Sequence, residues 1–186
     1  VLIQHGCDLR HTNVLSLDAL SLAQQGHRPN HRACSDLIRT QWDEQVKETL
    51  IDEARKGLVR VELAAFLEEH ADVVDINTRN AKGETMLIAA ARNGHLQTVK
   101  DLLEMGADAS ITAGEETCLL AGLKHPELVV FLAQELPELL EIRDWRGRNP
   151  LHQAARLAAN ETVAVLLKMG LDPNEADMDG RTVLHY

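Results

Sequence analysis

The chain has 186 residues, a formal net charge of −10, and five residues that are Phe, Trp or Tyr. Its length suits one domain, and 45% hydrophobic residues are enough for an aliphatic core. The excess of carboxylates disfavours binding to nucleic-acid phosphates or anionic lipid, because both carry the same sign of charge as the chain. We therefore expect neither a nucleic-acid partner nor membrane contact by this segment.

Cysteine usage indicates the compartment. Cys7, Cys34 and Cys118 are odd in number and far apart in sequence. Such a set does not predict a disulfide framework, so a reducing environment is expected. The predicted location is intracellular, either cytoplasmic or nuclear, with any membrane anchor of the parent protein lying outside this segment.

The first 44 residues are predicted to hold the end of one helical unit, a degenerate unit and an irregular connection. Residues 2–8 align with residues 102–108, so the chain opens in the second helix of a unit. Residues 20–27 have the composition of a first helix. Residues 29–44 depart from the pattern, and we expect them to interrupt the stack of units.

Residues 79–112 contain the clearest pair of short helices. Leu87, Ala90 and Ala91 fall on one helical face, and Val99 and Leu102 share a face of the next helix. One such pair cannot bury its own apolar face, so neighbouring pairs are expected to stack into a continuous core. The turns after the helices are expected at glycines, which adopt positive φ at little cost.

The same motif returns at a nearly constant interval. Positions 85, 117, 149 and 182 hold Thr, Thr, Asn and Thr, and they lie 32, 32 and 33 residues apart. The best copies are residues 149–152, which read NPLH, and residues 182–185, which read TVLH. A period of about 33 residues with this motif resembles the ankyrin repeat, whose pattern is G-x-T-P-L-H-x-A-A, a Gly-His turn, then V-x-x-L-L-x-x-G-A.

The resemblance implies an all-α ankyrin-repeat solenoid of stacked helix-turn-helix units with β-hairpin-like loops. After residues 1–44, the predicted boundaries are a degenerate or capping unit 1 at 45–78, unit 2 at 79–112, a shortened unit 3 at 113–144, unit 4 at 145–177 and the start of a truncated unit at 178–186. The chain begins without Met and ends inside a motif, so we expect a fragment of a longer protein.

Unit 3 departs from the family pattern between its helices. His125 lies eight residues after Thr117, whereas His95 lies ten residues after Thr85. The connection in unit 3 is therefore predicted to be tighter. Pro126 is well placed to start the second helix of this unit.

Unit 4 departs from the pattern in two places. Ala158 and Ala159 replace Gly-His, so its first helix is expected to run longer or to end at Asn160. The resemblance implies that the Thr hydroxyl and the His ring of the motif share a hydrogen bond, but here Asn149 replaces Thr before His152. These irregularities are expected to bend the solenoid locally.

The resemblance puts partner binding on the concave side, at the hairpin tips and the exposed ends of the first helices. Mapping the family pattern onto this chain gives the candidate contact residues Lys82, Glu84, Arg92, Asn93, Glu115, Glu116, Lys124, His125, Trp145, Arg146, Arg148, Arg156, Met178, Asp179 and Arg181. The predicted function is a monomeric scaffold that presents this surface to another protein.

Trp145 is the most distinctive of these residues. It lies in a predicted hairpin turn with Arg143, Arg146 and Arg148 nearby. Trp and Arg are enriched among residues that dominate binding energy, and a basic tip in an acidic chain favours a partner with acidic groups. The alternative is that Trp145 packs sideways on a neighbouring tip, with an Arg over its ring.

Sequence motifs for catalysis are absent. No Gly-rich loop follows a predicted strand, and neither G-x-S-x-G nor H-E-x-x-H occurs. We predict no enzyme activity and no cofactor. The remaining alternative is a zinc-binding module formed by His27, His31 and Cys34. Because Pro29 separates the two histidines and the spacing matches no strong zinc motif, ordinary polar surface is favoured and no metal is predicted.

Two further functions fit the same repeats. In the first, the array is the regulatory arm of a larger enzyme, such as a kinase, a palmitoyltransferase or a ubiquitin ligase. In the second, it is the cytosolic region of a channel. The sequence of the parent protein at both ends would distinguish them. The fold does not identify the partner, because the surface residues that select it vary freely on one scaffold.

The resemblance also implies one modification. Ankyrin hairpins are frequent substrates of an asparaginyl hydroxylase that favours Leu eight residues and an acidic residue two residues before the Asn. Leu166, Asp172 and Asn174 satisfy this pattern. The alternative, that Asn174 only closes a turn, is favoured over hydroxylation.

Overall fold

The computed structural model describes residues 29–57, 60–71 and 73–186, and within them the chain is an all-α stack of helix pairs. Its α-helices are α1 Pro29–Lys56, α2 Arg60–Glu69, α3 Met86–Arg92, α4 Leu96–Glu104, α5 Cys118–Ala121, α6 Pro126–Glu135, α7 Pro150–Arg156 and α8 Asn160–Lys168. Short 3₁₀ helices span Pro137–Leu140 and Val183–His185. This part of the chain forms no strand, which confirms the predicted all-α class, and Ala113 and Glu116 form an isolated antiparallel bridge.

The helices form two rows. In the first row, α1 packs on α3, α3 on α5, α5 on α7, and α7 on the last 3₁₀ helix. In the second row, α2 packs on α4 and α6 on α8, while α3 with α4, α5 with α6 and α7 with α8 join the rows within a unit. This neighbour-to-neighbour packing is the solenoid that the period predicts.

A seam of regularly spaced apolar side chains lies between the two rows. Leu87, Leu119 and Leu151 occupy the same position in three successive copies, and all three are buried. Each fully buried Leu contributes about 2 kcal/mol of transfer free energy. Because the buried positions follow the sequence period, adjacent units are held in register.

Capping side chains fix where the first helices begin. The Thr85 Oγ1 accepts a hydrogen bond from the Ile88 N–H at 3.4 Å, and Asn149 Oδ1 accepts one from the His152 N–H at 2.9 Å. Thr117 caps α5 in the same way. Asn149 Oδ1 also lies 2.7 Å from the His152 Nδ1, so Asn takes over the bond that the family pattern assigns to Thr. These caps satisfy backbone donors that the first helical turn leaves unpaired.

The irregular connection predicted for residues 29–44 is wrong, because these residues form the first half of α1. Helix α1 contains no Gly and no Pro after Pro29, and proline is tolerated at a helix start, where its missing N–H is not needed. The helix ends at Lys56 and is followed by Gly57, whose φ is 85°. The predicted boundary at residue 45 therefore falls inside a continuous helix. Predictions on residues 1–28 lie outside the described residues.

The extended first helix predicted for unit 4 is also wrong. Helix α7 ends at Arg156, and α8 begins at Asn160. Ala158 makes the chain reversal itself with a φ of 54°, in the left-handed region that glycine occupies in units 1 and 2. The Pro126 prediction is confirmed, since this residue lies in the first turn of α6.

We expect Ala158→Gly to stabilise the chain by about 1 kcal/mol, because glycine adopts a φ of 54° without the steric cost that a Cβ imposes. Urea denaturation followed by far-UV circular dichroism measures the change. Ala159→Gly is the control: its φ is −82°, so the added chain freedom should only destabilise. A variant no more stable than the parent chain would mean that the left-handed turn at Ala158 carries no strain.

Candidate functional site

Three hairpin turns along one edge of the stack share the same internal hydrogen bonds. In each turn, the side-chain oxygen of Asn80, Asp144 or Asp177 accepts from the backbone N–H groups two and four residues later, at 2.9–3.0 Å. A backbone hydrogen bond from the same residue closes each loop. Because Asn and Asp side chains can replace backbone partners in this way, the tips are fixed without a β-sheet.

Asp144 is the most constrained of the three turn residues. Its side chain is 1% exposed and its Oδ2 accepts from the Arg148 Nε at 2.7 Å and from the Gln153 Nε2 at 2.6 Å. Burial alone would raise the pKa of Asp144, but hydrogen bonds from Arg148 and from the Arg146 backbone outweigh it and hold that pKa below its ordinary value. The turn thus depends on an ionised carboxylate.

Two large apolar side chains project from neighbouring tips. Trp145 is 62% exposed and Met178 is 77% exposed. The Arg146 guanidinium lies 4.4 Å from the Trp145 ring centroid, and the Met178 N–H donates to the Arg146 carbonyl at 2.8 Å. The Arg stacking considered from sequence is therefore present, yet the Trp ring stays open to solvent. The backbone bond joins the two tips into one patch.

Alternating charges connect three units along the first row of helices. Glu84 accepts from the Arg55 and Arg92 guanidinium groups, and Arg92 also pairs with Glu116. Glu84 is only 2% exposed, so as a direct contact residue it is wrongly predicted. Its carboxylate instead fixes Arg92, which remains exposed.

Histidine rings join successive units at the turns between the two helices. The His95 Nε2 lies 2.7 Å from the Arg55 carbonyl, and the His125 Nε2 lies 3.2 Å from the Arg92 carbonyl. His125, predicted as a contact residue, is half-buried by this role. In unit 4, where Ala159 stands at the His position, the Thr162 hydroxyl donates to the Leu123 carbonyl at 2.6 Å and joins units 3 and 4.

The remaining candidate residues differ in exposure. Glu116, Arg146, Arg148 and Arg181 are half-buried. The exposed ones are Lys82, Arg92, Asn93, Glu115, Lys124, Trp145, Arg156, Met178 and Asp179. An open groove brings Glu115, Glu116, Arg148 and Arg156 together around Leu120 and Leu157. The other candidates lie outside this groove.

Sequence reasoning missed Asp144 as the residue that orders the Trp145 tip. The signal was available, because Asp144 aligns with Asp177 one period later and both precede a Gly by three residues. An acidic residue at this place in a hairpin predicts a side-chain-to-backbone turn.

Two predictions concern residues away from this surface. Asn174 is exposed and its N–H donates to Asp172 Oδ1 at 2.8 Å, which fits a turn residue. Its hydroxylation stays a prediction.

The zinc alternative stays untested, because His27 and the side chains of His31 and Cys34 lie outside the described part. Within that part, no group of three or more His, Cys, Asp or Glu side chains could hold a metal ion. No helix there is long and apolar enough to cross a bilayer.

Comparison with known families and proteins supports the repeat assignment. Residues 60–103 match a family model described as ankyrin repeats (many copies), and residues 146–178 match the model described as ankyrin repeat. Over 191 aligned positions, the chain is 26% identical to the SH3 and multiple ankyrin repeat domains protein 2 of Homo sapiens, covering 91% of this chain and 10% of that protein.

Two other relatives match shorter parts of the chain. The neurogenic locus notch homolog protein 1 of Danio rerio is 34% identical over 113 residues, with 59% of this chain and 5% of that protein covered. The leucine-rich repeat serine/threonine-protein kinase 1 of Caenorhabditis elegans is 26% identical over 132 residues, with 59% and 6% covered. The chain spans a tenth or less of the length of these relatives.

Proposed function

Because this chain is an ankyrin-repeat protein, and such repeats are generally protein–protein interaction modules, we propose that it binds a partner protein through its hairpin tips and first-row helices. The module acts as a non-enzymatic, monomeric scaffold. Its tips and helix ends are already held by internal hydrogen bonds and ion pairs, so little conformational entropy is lost on binding.

The observation that supports this function best is the patch formed by Trp145 and Met178. Both side chains are mostly exposed, and they lie on tips joined by the bond between the Met178 N–H and the Arg146 carbonyl. Exposed apolar side chains on a rigid frame, beside an Arg, have the composition of an interface hot spot. The stack needs neither side chain for its own core, so their exposure is available for a partner.

We expect Trp145→Ala to weaken partner capture at least tenfold while leaving the helical content unchanged, because the ring contributes binding area but no core packing. Affinity capture with the full chain and quantitative mass spectrometry compares the two proteins, and calorimetry then measures the affinity of each recovered partner. Leu167→Ala is the matched control, since Leu167 is an exposed apolar residue on the second row. Equal capture by the Trp145 variant and the parent chain would remove the tip from the interface.

The wider role of the parent protein stays a prediction. The regulatory arm of an enzyme and the cytosolic region of a channel both remain compatible with a binding module. One relative is named as a kinase, but the chain spans 6% of that protein, so the name does not transfer a catalytic activity to these residues.

A further inference from the structure

We propose that the groove between units 3 and 4 selects a segment of the partner that carries a basic and an acidic side chain on either side of an aliphatic one. We call this surface the interunit groove; it is lined by Glu115, Glu116, Leu120, Arg148, Arg156 and Leu157. The inference rests on the proposed function, since it specifies the chemistry that a bound partner presents to this part of the surface.

The walls of the interunit groove carry opposite charges. Glu115 and Glu116 come from the hairpin of unit 3, whereas Arg148 precedes the first helix of unit 4 and Arg156 is its last residue. A segment with only acidic side chains would be repelled by Glu115. A segment with only basic side chains would be repelled by Arg156. A segment with both charges satisfies both walls, which is how electrostatic complementarity selects a partner and its orientation.

The fold already neutralises half of these charges. Arg148 donates to Asp144, and Glu116 accepts from Arg92. Among the residues that the structure describes, Glu115 and Arg156 form no ion pair and both are exposed. Since the two groups line one groove without pairing to each other, their charges are available to a partner.

The geometry of Arg156 suits a carboxylate. Its Nε donates to the Gln153 Oε1 at 3.1 Å, which orients the guanidinium and leaves both terminal nitrogens as donors. A guanidinium held in this way can bind a carboxylate through two parallel hydrogen bonds. We therefore assign the acidic side chain of the partner to Arg156 and the basic one to Glu115.

Two leucines that line the groove provide a place for the aliphatic side chain. Leu157 is 41% exposed and Leu120 is half-buried. Covering an exposed leucine side chain removes apolar surface from water, which favours association at about 25 cal/mol per Å². Apolar contact at the centre with charges at both walls gives the segment a defined position.

Selection from a displayed library of random linear peptides tests the inference on the full chain. We expect the parent chain to enrich peptides in which Asp or Glu and Lys or Arg flank an aliphatic residue. Arg156→Glu should remove the acidic preference, and Glu115→Lys should remove the basic one. Lys168→Glu and Glu127→Lys make the same charge changes at exposed sites outside the groove, and they should leave the enriched sequences unchanged.

Two outcomes would overturn the inference. One is enrichment of sequences that neither groove variant alters, and the other is no enrichment by the folded parent chain. Neither outcome decides the proposed function, because the Trp145→Ala capture measurement uses whole proteins and a different part of the surface. Enrichment that is lost in Trp145→Ala but not in the groove variants would place peptide binding at the tips instead.

Discussion

Gly94→Ala is expected to destabilise the chain by about 3 kcal/mol. Gly94 has a φ of 75°, and a Cβ at this position would overlap the His125 ring. The left-handed backbone costs an alanine about 1–2 kcal/mol, and displacing the ring adds the cost of overpacking. The displaced ring also loses its contact with the Arg92 carbonyl, so the junction between units 2 and 3 is weakened directly.

Gly83→Ala separates the two causes. Gly83 has a φ of 76°, but nothing lies within 4 Å of its Cβ position. This variant should therefore be destabilised only by the strain of the left-handed backbone, about 1 kcal/mol. Urea denaturation of both variants measures the difference between them. Equal losses would show that the His125 ring moves aside freely and does not hold the units together.

The second large effect is expected for Asp144→Ala, which should lower the free energy of unfolding by roughly 3 kcal/mol. The substitution removes four hydrogen bonds from the turn and leaves the Arg148 guanidinium, whose side chain is 12% exposed, without its carboxylate. Asp179→Ala is the control on the next tip, since the Asp179 side chain is 48% exposed. Chemical denaturation compares them, and a loss below 1 kcal/mol for Asp144→Ala would contradict a structural role.

Asp144→Asn tests the charge separately through pH. The pKa of Asp144 is held below its ordinary value of 3.8, so its contribution to folding is complete above that value and declines as the pH falls further. The parent chain should exceed Asp144→Asn in stability near neutral pH, and the gap should narrow below about pH 4. A gap that is constant across this range would mean that the carboxylate is not the stabilising group.

The sequence period was sufficient to predict most of the stack. Leu87, Leu119 and Leu151 recur at one position, so the buried face and the helix pairs follow from spacing alone. The Thr85 cap follows from local sequence in the same way, because a Thr before an apolar helix satisfies unpaired backbone donors.

The predictions from sequence failed where contacts between distant residues or the local surroundings determine the conformation. Glu84 is buried and paired with Arg55 of unit 1, and no local pattern reports a partner 29 residues away. Ala158 adopts a conformation that alanine disfavours, since the surrounding units hold the chain reversal in place. Residues 29–44 carry no repeat motif, so the period could not show that they continue a helix.

The side-chain contacts at successive junctions of the stack differ, and this difference has a mechanical consequence. His95 and His125 bridge the first two junctions with aromatic rings, whereas the Thr162 hydroxyl bridges the third. A pulling force on the two ends is transmitted through every junction in series, because each unit touches only its neighbours. Because the side-chain contacts differ from one junction to the next, we expect the resistance to tension to vary along the stack.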